Sequence, residues 1–80
     1  MNKLIETTTN ETNHIHWAEI DGVRYGIYDS FDPDTLMVAD DQWNVDNCDR
    51  SERAANERIA DKIHDLVAGD TEQSWRLVDE

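Results

Sequence analysis

Asp21-Gly22 separates two stretches of alternating side chains, His14 to Ile20 and Val23 to Asp29, and constrains the fold of this chain more than any other feature. Asp-Gly readily takes the two positive-φ positions of a type I′ turn, the two-residue connection whose twist matches that of paired antiparallel strands. Such a turn leaves one register, in which Ile20 opposes Val23, Glu19 opposes Arg24, Ala18 opposes Tyr25 and Trp17 opposes Gly26. One face of the hairpin then carries Ile20, Val23, Ala18, Tyr25, His16 and Ile27 and is expected to meet the core. The other face pairs Glu19 with Arg24, lays Trp17 over the bare backbone of Gly26 and sets Ile15 opposite Tyr28. An opposite-charge pair and an aromatic covering a glycine each favour this register, by about 0.2–1 kcal/mol.

The remaining elements follow from punctuation and period. Asp29 to Asp34 reads as a turn, with Pro33 barring a central strand there. Thr35 to Ala39 reads as a third strand, antiparallel to the second. Asp40 to Asn47, where Trp43 and Val45 alternate with polar residues, fits either a short strand or an ordered loop. The threonine-rich start fits either an edge strand over Lys3 to Thr9 or a frayed tail. Asp49 and Glu52 have the spacing of a capping box. Beyond them Ala55, Ile59, Ile63, Leu66 and Val67 form an apolar stripe of helical period, and Gly69 stands where a C′ residue would close the helix. A helix over 50–68 is expected to lay that stripe on the sheet, and alternation over 71–78 predicts a last strand at 73–78. The expected fold is α+β: an antiparallel sheet of three to five strands with one helix packed on one face, in a single domain over residues 1–80.

Charge bounds the function. Nineteen Asp and Glu against seven Lys and Arg leave a net charge of −12. A chain that grips DNA or RNA needs a basic footprint, and an anionic membrane surface would repel this one, so neither is an expected partner. Residues 1–13 hold no apolar run longer than Leu4-Ile5, which predicts no secretion signal, and no stretch approaches the roughly 18–20 apolar residues of a membrane span. Cys48 is the only cysteine, which fits a reducing compartment, and the expected location is the cytoplasm.

Motifs for chemistry are weak. His14 and His16 project from one strand face and His64 lies late in the helix, but a zinc site usually takes three or four His, Cys or carboxylate ligands, and no second such pair exists. The two strand histidines are expected to pack by their rings, and a protonated His64 is favourable near the helix C-terminus. No register of the acidic segments supplies the glycine of a calcium loop. Cys48 precedes a helix, yet Asp46 and Asp49 beside it disfavour a thiolate. Ser30, Ser51 and Ser74 lack a nucleophile elbow or a phosphate-cradling context. No catalytic residue, metal ligand or cofactor site is therefore expected, and the chain reads as non-enzymatic.

The acids are unevenly spread. From Gly26 to Asp49 there are seven (Asp29, Asp32, Asp34, Asp40, Asp41, Asp46 and Asp49) and no Lys or Arg, whereas from Arg50 to Glu80 eight acids are interleaved with five bases. A charge run of this kind is usually a solvated face. To a partner with a basic groove it also offers steering and complementarity, and basic grooves are mostly made for nucleic-acid backbones. Phe31 and Trp43, lying among these acids, are expected to be exposed apolar anchors. In size and in the Asp29–Asp49 run the chain resembles the small acidic proteins that bacteriophages make against host nucleic-acid machinery, DNA mimics and anti-CRISPR proteins among them. The resemblance implies a stoichiometric inhibitor that blocks the basic nucleic-acid-binding site of a protein or multisubunit effector complex of host defence, in the host cytoplasm. The competing expectation is a small assembly module that uses the second hairpin face (Ile15, Trp17, Tyr28) or a sheet edge, as monomer or dimer.

Overall fold

The computed structural model describes residues 2–10 and 13–69. Among these residues five strands, β1 (Lys3–Asn10), β2 (Asn13–Ile20), β3 (Val23–Tyr28), β4 (Met37–Ala39) and β5 (Val45–Asn47), pair in sequence order as an antiparallel meander, followed by one helix, α1 (Arg53–Gly69). This is the α+β architecture expected. The β2–β3 register is the one the Asp-Gly turn requires, from Ile20 opposite Val23 to Ile15 opposite Tyr28. Asp21 and Gly22 have φ of 53° and 84°, both positive as type I′ demands. The start of the chain takes the strand option: β1 pairs with β2, with an irregularity between Leu4 and Glu6 that carries Thr7 onto the face of His16.

The third strand is shorter than the expected 35–39. Asp32 caps a 3-10 turn over Pro33–Thr35, its carboxylate accepting from the Asp34 amide at 2.9 Å, and this holds Thr35 out of β4. Asp40 to Asn47 resolves into both alternatives, a loop followed by β5. Asp49 caps a second 3-10 turn, Arg50–Glu52, so α1 itself begins at Arg53 rather than at residue 50. Gly69 is the last helical residue, without the positive φ of a C′ position. The strand expected at 73–78 lies outside the described residues.

The core is one layer between sheet and helix. Ala18, Ile20, Ile27 and Leu36 meet Ala60, Ile63 and Val67, with Leu4, Tyr25, Ile59 and Leu66 packed around them. Side chains alternate across a strand, so the core residues of β2 and β3 leave Ile15, Trp17 and Tyr28 on the face away from the helix. The helix turns Asn56, Ala60, Ile63 and Val67 most deeply inward. Asn56 fits there because its amide donates to the Asp49 carbonyl at 2.9 Å, tying the helix to its own cap. Val23, expected in the core, is 38% exposed because it stands at the turn end of β3.

A candidate acidic interaction site

The acidic run does not form one patch. Asp29, Asp32 and Asp34 follow β3 at one end of the sheet, whereas Asp40 and Asp41 follow β4 at the other, and β3 between them is roughly 17 Å long at about 3.4 Å per residue. Asp49 joins the first group, because the Cys48 amide donates to the Leu36 carbonyl at 3.0 Å. Asp46 lies alone on β5, opposite Val38.

In the first group most of the carboxylates hold the fold together. Asp32 caps the turn before β4. Asp34 pairs with Arg53 at 2.9 Å, and Arg53 also reaches Glu57 at 3.2 Å, so basic charge from the helix interleaves with the acids. These partners, Asp34 first, raise the Arg53 pKa further. Asp49 accepts from the Ser51 amide and hydroxyl at 2.9 and 2.8 Å, and these bonds hold its carboxyl below the usual 3.8.

Asp29 has the most constrained partner. His16 is 0% exposed, and its Nε2 lies 2.8 Å from Asp29 Oδ1 while its Nδ1 lies 3.0 Å from the Thr7 hydroxyl. An ionised carboxylate only accepts, so Nε2 carries the hydrogen, and in the neutral ring Nδ1 accepts from Thr7. Hydroxyl, imidazole and carboxylate in a row are the groups of a nucleophilic relay, but this imidazole is enclosed, with no surface to offer a substrate. Phe31 stacks on it in parallel (ring centroids 5.3 Å apart, 4° between planes) and meets His64 edge-on at 4.9 Å. Phe31, expected as an exposed anchor, is therefore partly buried. Of the two strand histidines expected to pack by their rings, His16 does so, on Phe31, whereas His14 lies by its Nδ1 3.3 Å from the Thr9 hydroxyl; the bonds of His16 to Thr7 and Asp29, and the link through Phe31 to His64, were not foreseen. Among the described residues no three His, Cys, Asp or Glu side chains gather to hold a metal ion. Burial raises the Cys48 thiol above its usual pKa, away from the activated range.

The second group is built differently. The Trp43 amide donates to the Asp40 carbonyl and the Asp40 amide to the Asn44 carbonyl, at 3.0 and 3.1 Å, which makes a three-residue hairpin loop. Its last position takes a left-handed conformation, usually given to glycine, and here it is Trp43, with φ 64°. The Asp40 carboxylate holds the loop from inside, accepting from the amides of Gln42 and Asn44 and from the Asn44 side chain, each at 2.9 Å. Trp43 meets Trp17 edge-on at 5.2 Å, and the Arg24 guanidinium stacks over the Trp43 ring at 4.3 Å. Arg24 stands opposite Glu19 as expected, but its Nη1 donates to the Asp40 carbonyl at 2.8 Å rather than pairing with Glu19. Trp43 is 42% exposed, and Asp41 engages no hydrogen bond or ion pair among the described residues.

Two consequences can be measured. Bonds from Asn44, then from Gln42, and the charge of Arg24 hold the Asp40 carboxyl below 3.8. A group whose folded pKa is depressed contributes stability that is complete above its unfolded pKa and is lost as pH falls through the folded one. The environment of Trp43 is therefore expected to hold down to about pH 4 and to loosen below it, which near-UV circular dichroism reads directly; a change centred above pH 5 would contradict this. Asp40→Asn keeps one carbonyl acceptor but loses the charge, as protonation does, and should show at neutral pH the loosened Trp43 signal of the wild type below about pH 4, while Asp40→Lys removes both side-chain acceptors and should weaken it further.

Compared with known proteins, the chain matches no protein-family model, no curated protein and no solved structure at a significant level. No helix among the described residues is long and apolar enough to cross a membrane.

Proposed function

We propose that this protein is a non-enzymatic, stoichiometric inhibitor that presents carboxylates to a basic nucleic-acid-binding site and keeps nucleic acid out of it, as small phage proteins of the DNA-mimic and anti-CRISPR type do in the host cytoplasm. One observation carries the reading: seven acids between Gly26 and Asp49 with no Lys or Arg among them, in a chain of net charge −12. The proposed partner-binding residues are Asp29, Asp32, Asp34 and Asp49 at one end of the sheet, Asp40, Asp41 and Trp43 at the other, and Asp46 on β5; Phe31, packed between His16 and His64, leaves the set. The target is a basic nucleic-acid-binding protein or a multisubunit effector complex of host defence. Salt screens carboxylates that stand in for phosphates from the groove's Lys and Arg, so affinity should fall roughly tenfold or more between about 50 and 200 mM salt.

The test is affinity capture from a nuclease-treated lysate of the cells that harbour the gene, at low and high salt, with the retained proteins identified by mass spectrometry. A nucleic-acid-binding protein retained at low salt and lost at high salt is the expected result. Retention that ignores salt would favour an assembly module instead. That second reading draws on Ile15 and Tyr28, half-buried on the sheet face the helix leaves open; Trp17 on the same face is only 6% exposed, against the edge of Trp43.

A further inference from the structure

Val23, Trp43 and Val45 are the exposed large hydrophobics among the described residues, at 38%, 42% and 46%, and all three stand at one end of the sheet. Val23 opens β3, Val45 opens β5, and Trp43 lies in the loop between β4 and β5. A shallow groove of about 260 Å³ runs between the two turns there, lined by Glu19, Val23, Arg24, Ala39, Asp40 and Asp41. That volume suits one long side chain rather than a drug-sized ligand, whose sites run about 300–1,000 Å³. The single cation of the groove is already committed: Arg24 stacks on Trp43 and donates to the Asp40 carbonyl. Glu19, opposite Lys3 on β1 but not bonded to it, and Asp41 enter no hydrogen bond or ion pair among the described residues, so the net charge left to offer is negative. At the opposite end Asp29, Asp32, Asp34 and Asp49 are engaged by His16, two turn caps and Arg53.

From this contrast we infer that the partner docks at the turn end, seating an arginine or lysine of a protein segment between Glu19 and Asp41 while a neighbouring apolar side chain covers Trp43. The inference rests on the proposed reading and selects one of the two acidic groups for it. Charge complementarity chooses the occupant. A second copy of this chain brings another −12 and the same sign to the same surface, and nucleic acid or an anionic membrane is repelled likewise. A cationic segment with apolar neighbours satisfies both halves of the surface, the carboxylates that line the groove and the exposed part of Trp43 in the loop beside it.

The experiment is a titration of the full-length ¹⁵N-labelled protein with a twelve-residue peptide alternating Arg and Leu, with a Glu and Leu peptide as control, followed by amide resonances. Saturable shifts at residues 22–24 and 39–45 from the Arg peptide alone are expected. Asp41→Lys, at a position without contacts to lose, should weaken binding roughly tenfold. Trp43→Gly, which suits the loop's φ, should do the same. Shifts centred on 29–34 and 49–53, unsaturable shifts, or binding indifferent to both substitutions would overturn the inference. If the peptide seats at 39–45 while no salt-sensitive nucleic-acid-binding protein is captured from lysate, the docking surface stands and the inhibitor reading falls. If such a protein is captured equally by Asp41→Lys and Trp43→Gly, the inhibitor reading stands and this surface falls.

Discussion

His16→Ala is expected to destabilise the domain by about 2–5 kcal/mol, the range for truncating a large, fully buried side chain. The whole domain holds only about 4–12 kcal/mol at the usual per-residue stability, so the variant sits near the edge of folding. The cost has several sources. Thr7 and Asp29 lose their common partner, Phe31 loses the ring it stacks on, and the edge strand β1 loses a side-chain tie to β2. Asp29→Asn keeps an oxygen for the Nε2 hydrogen and should unfold close to wild type. Asp29→Ala leaves the buried imidazole hydrogen unpaired, at about 1–3 kcal/mol, and water entering at the half-exposed rim recovers part of that. Urea unfolding of the three variants checks the order. An Asp29→Asn variant as unstable as His16→Ala would show that the carboxylate's charge, not its hydrogen bond, matters.

Gly26→Val should cost about 1–3 kcal/mol by overpacking. A Cβ at Gly26 would lie 2.6 Å from ring carbons of Trp17, closer than such atoms approach, so the indole must leave its place. Trp17 is itself held by a hydrogen bond to the Thr8 hydroxyl at 3.3 Å and by the edge of Trp43. Displacing it therefore disturbs the β4–β5 loop as well as the sheet. Thermal unfolding together with the near-UV signal of the tryptophans reads both effects. A Gly26→Val protein with native stability and an unchanged tryptophan signal would refute the account of how this face is packed.

Legibility followed the range of the interactions. The hairpin, its register and the Trp17–Gly26 contact were readable because a two-residue turn sets them locally. The helix stripe was readable because its period survives any arrangement of the sheet. Asn56 and Ala60 stand outside the apolar stripe read from the sequence, yet Asn56 lies four residues before Ala60 and seven before Ile63, on the face the helix buries. The two 3-10 turns were hidden because Asp32 and Asp49 cap locally at the expense of strand and helix length. The acidic run was the least legible feature. Seven acids close in sequence suggest one patch, but a β-meander reverses direction at each turn and sends alternate connections to opposite ends. No local rule foretells that Phe31 turns inward between two histidines while Trp43 turns outward beneath Arg24; both depend on residues distant in the chain.

The central claim is that a partner's nucleic-acid site is what this surface occupies, and competition measures it most directly. The complex captured at low salt should be challenged with increasing concentrations of the nucleic acid that the captured protein binds. Release of this protein in proportion to occupancy of the site, with both unable to bind at once, is the predicted result. A stable ternary complex in which nucleic acid and this protein sit on the partner together would contradict it.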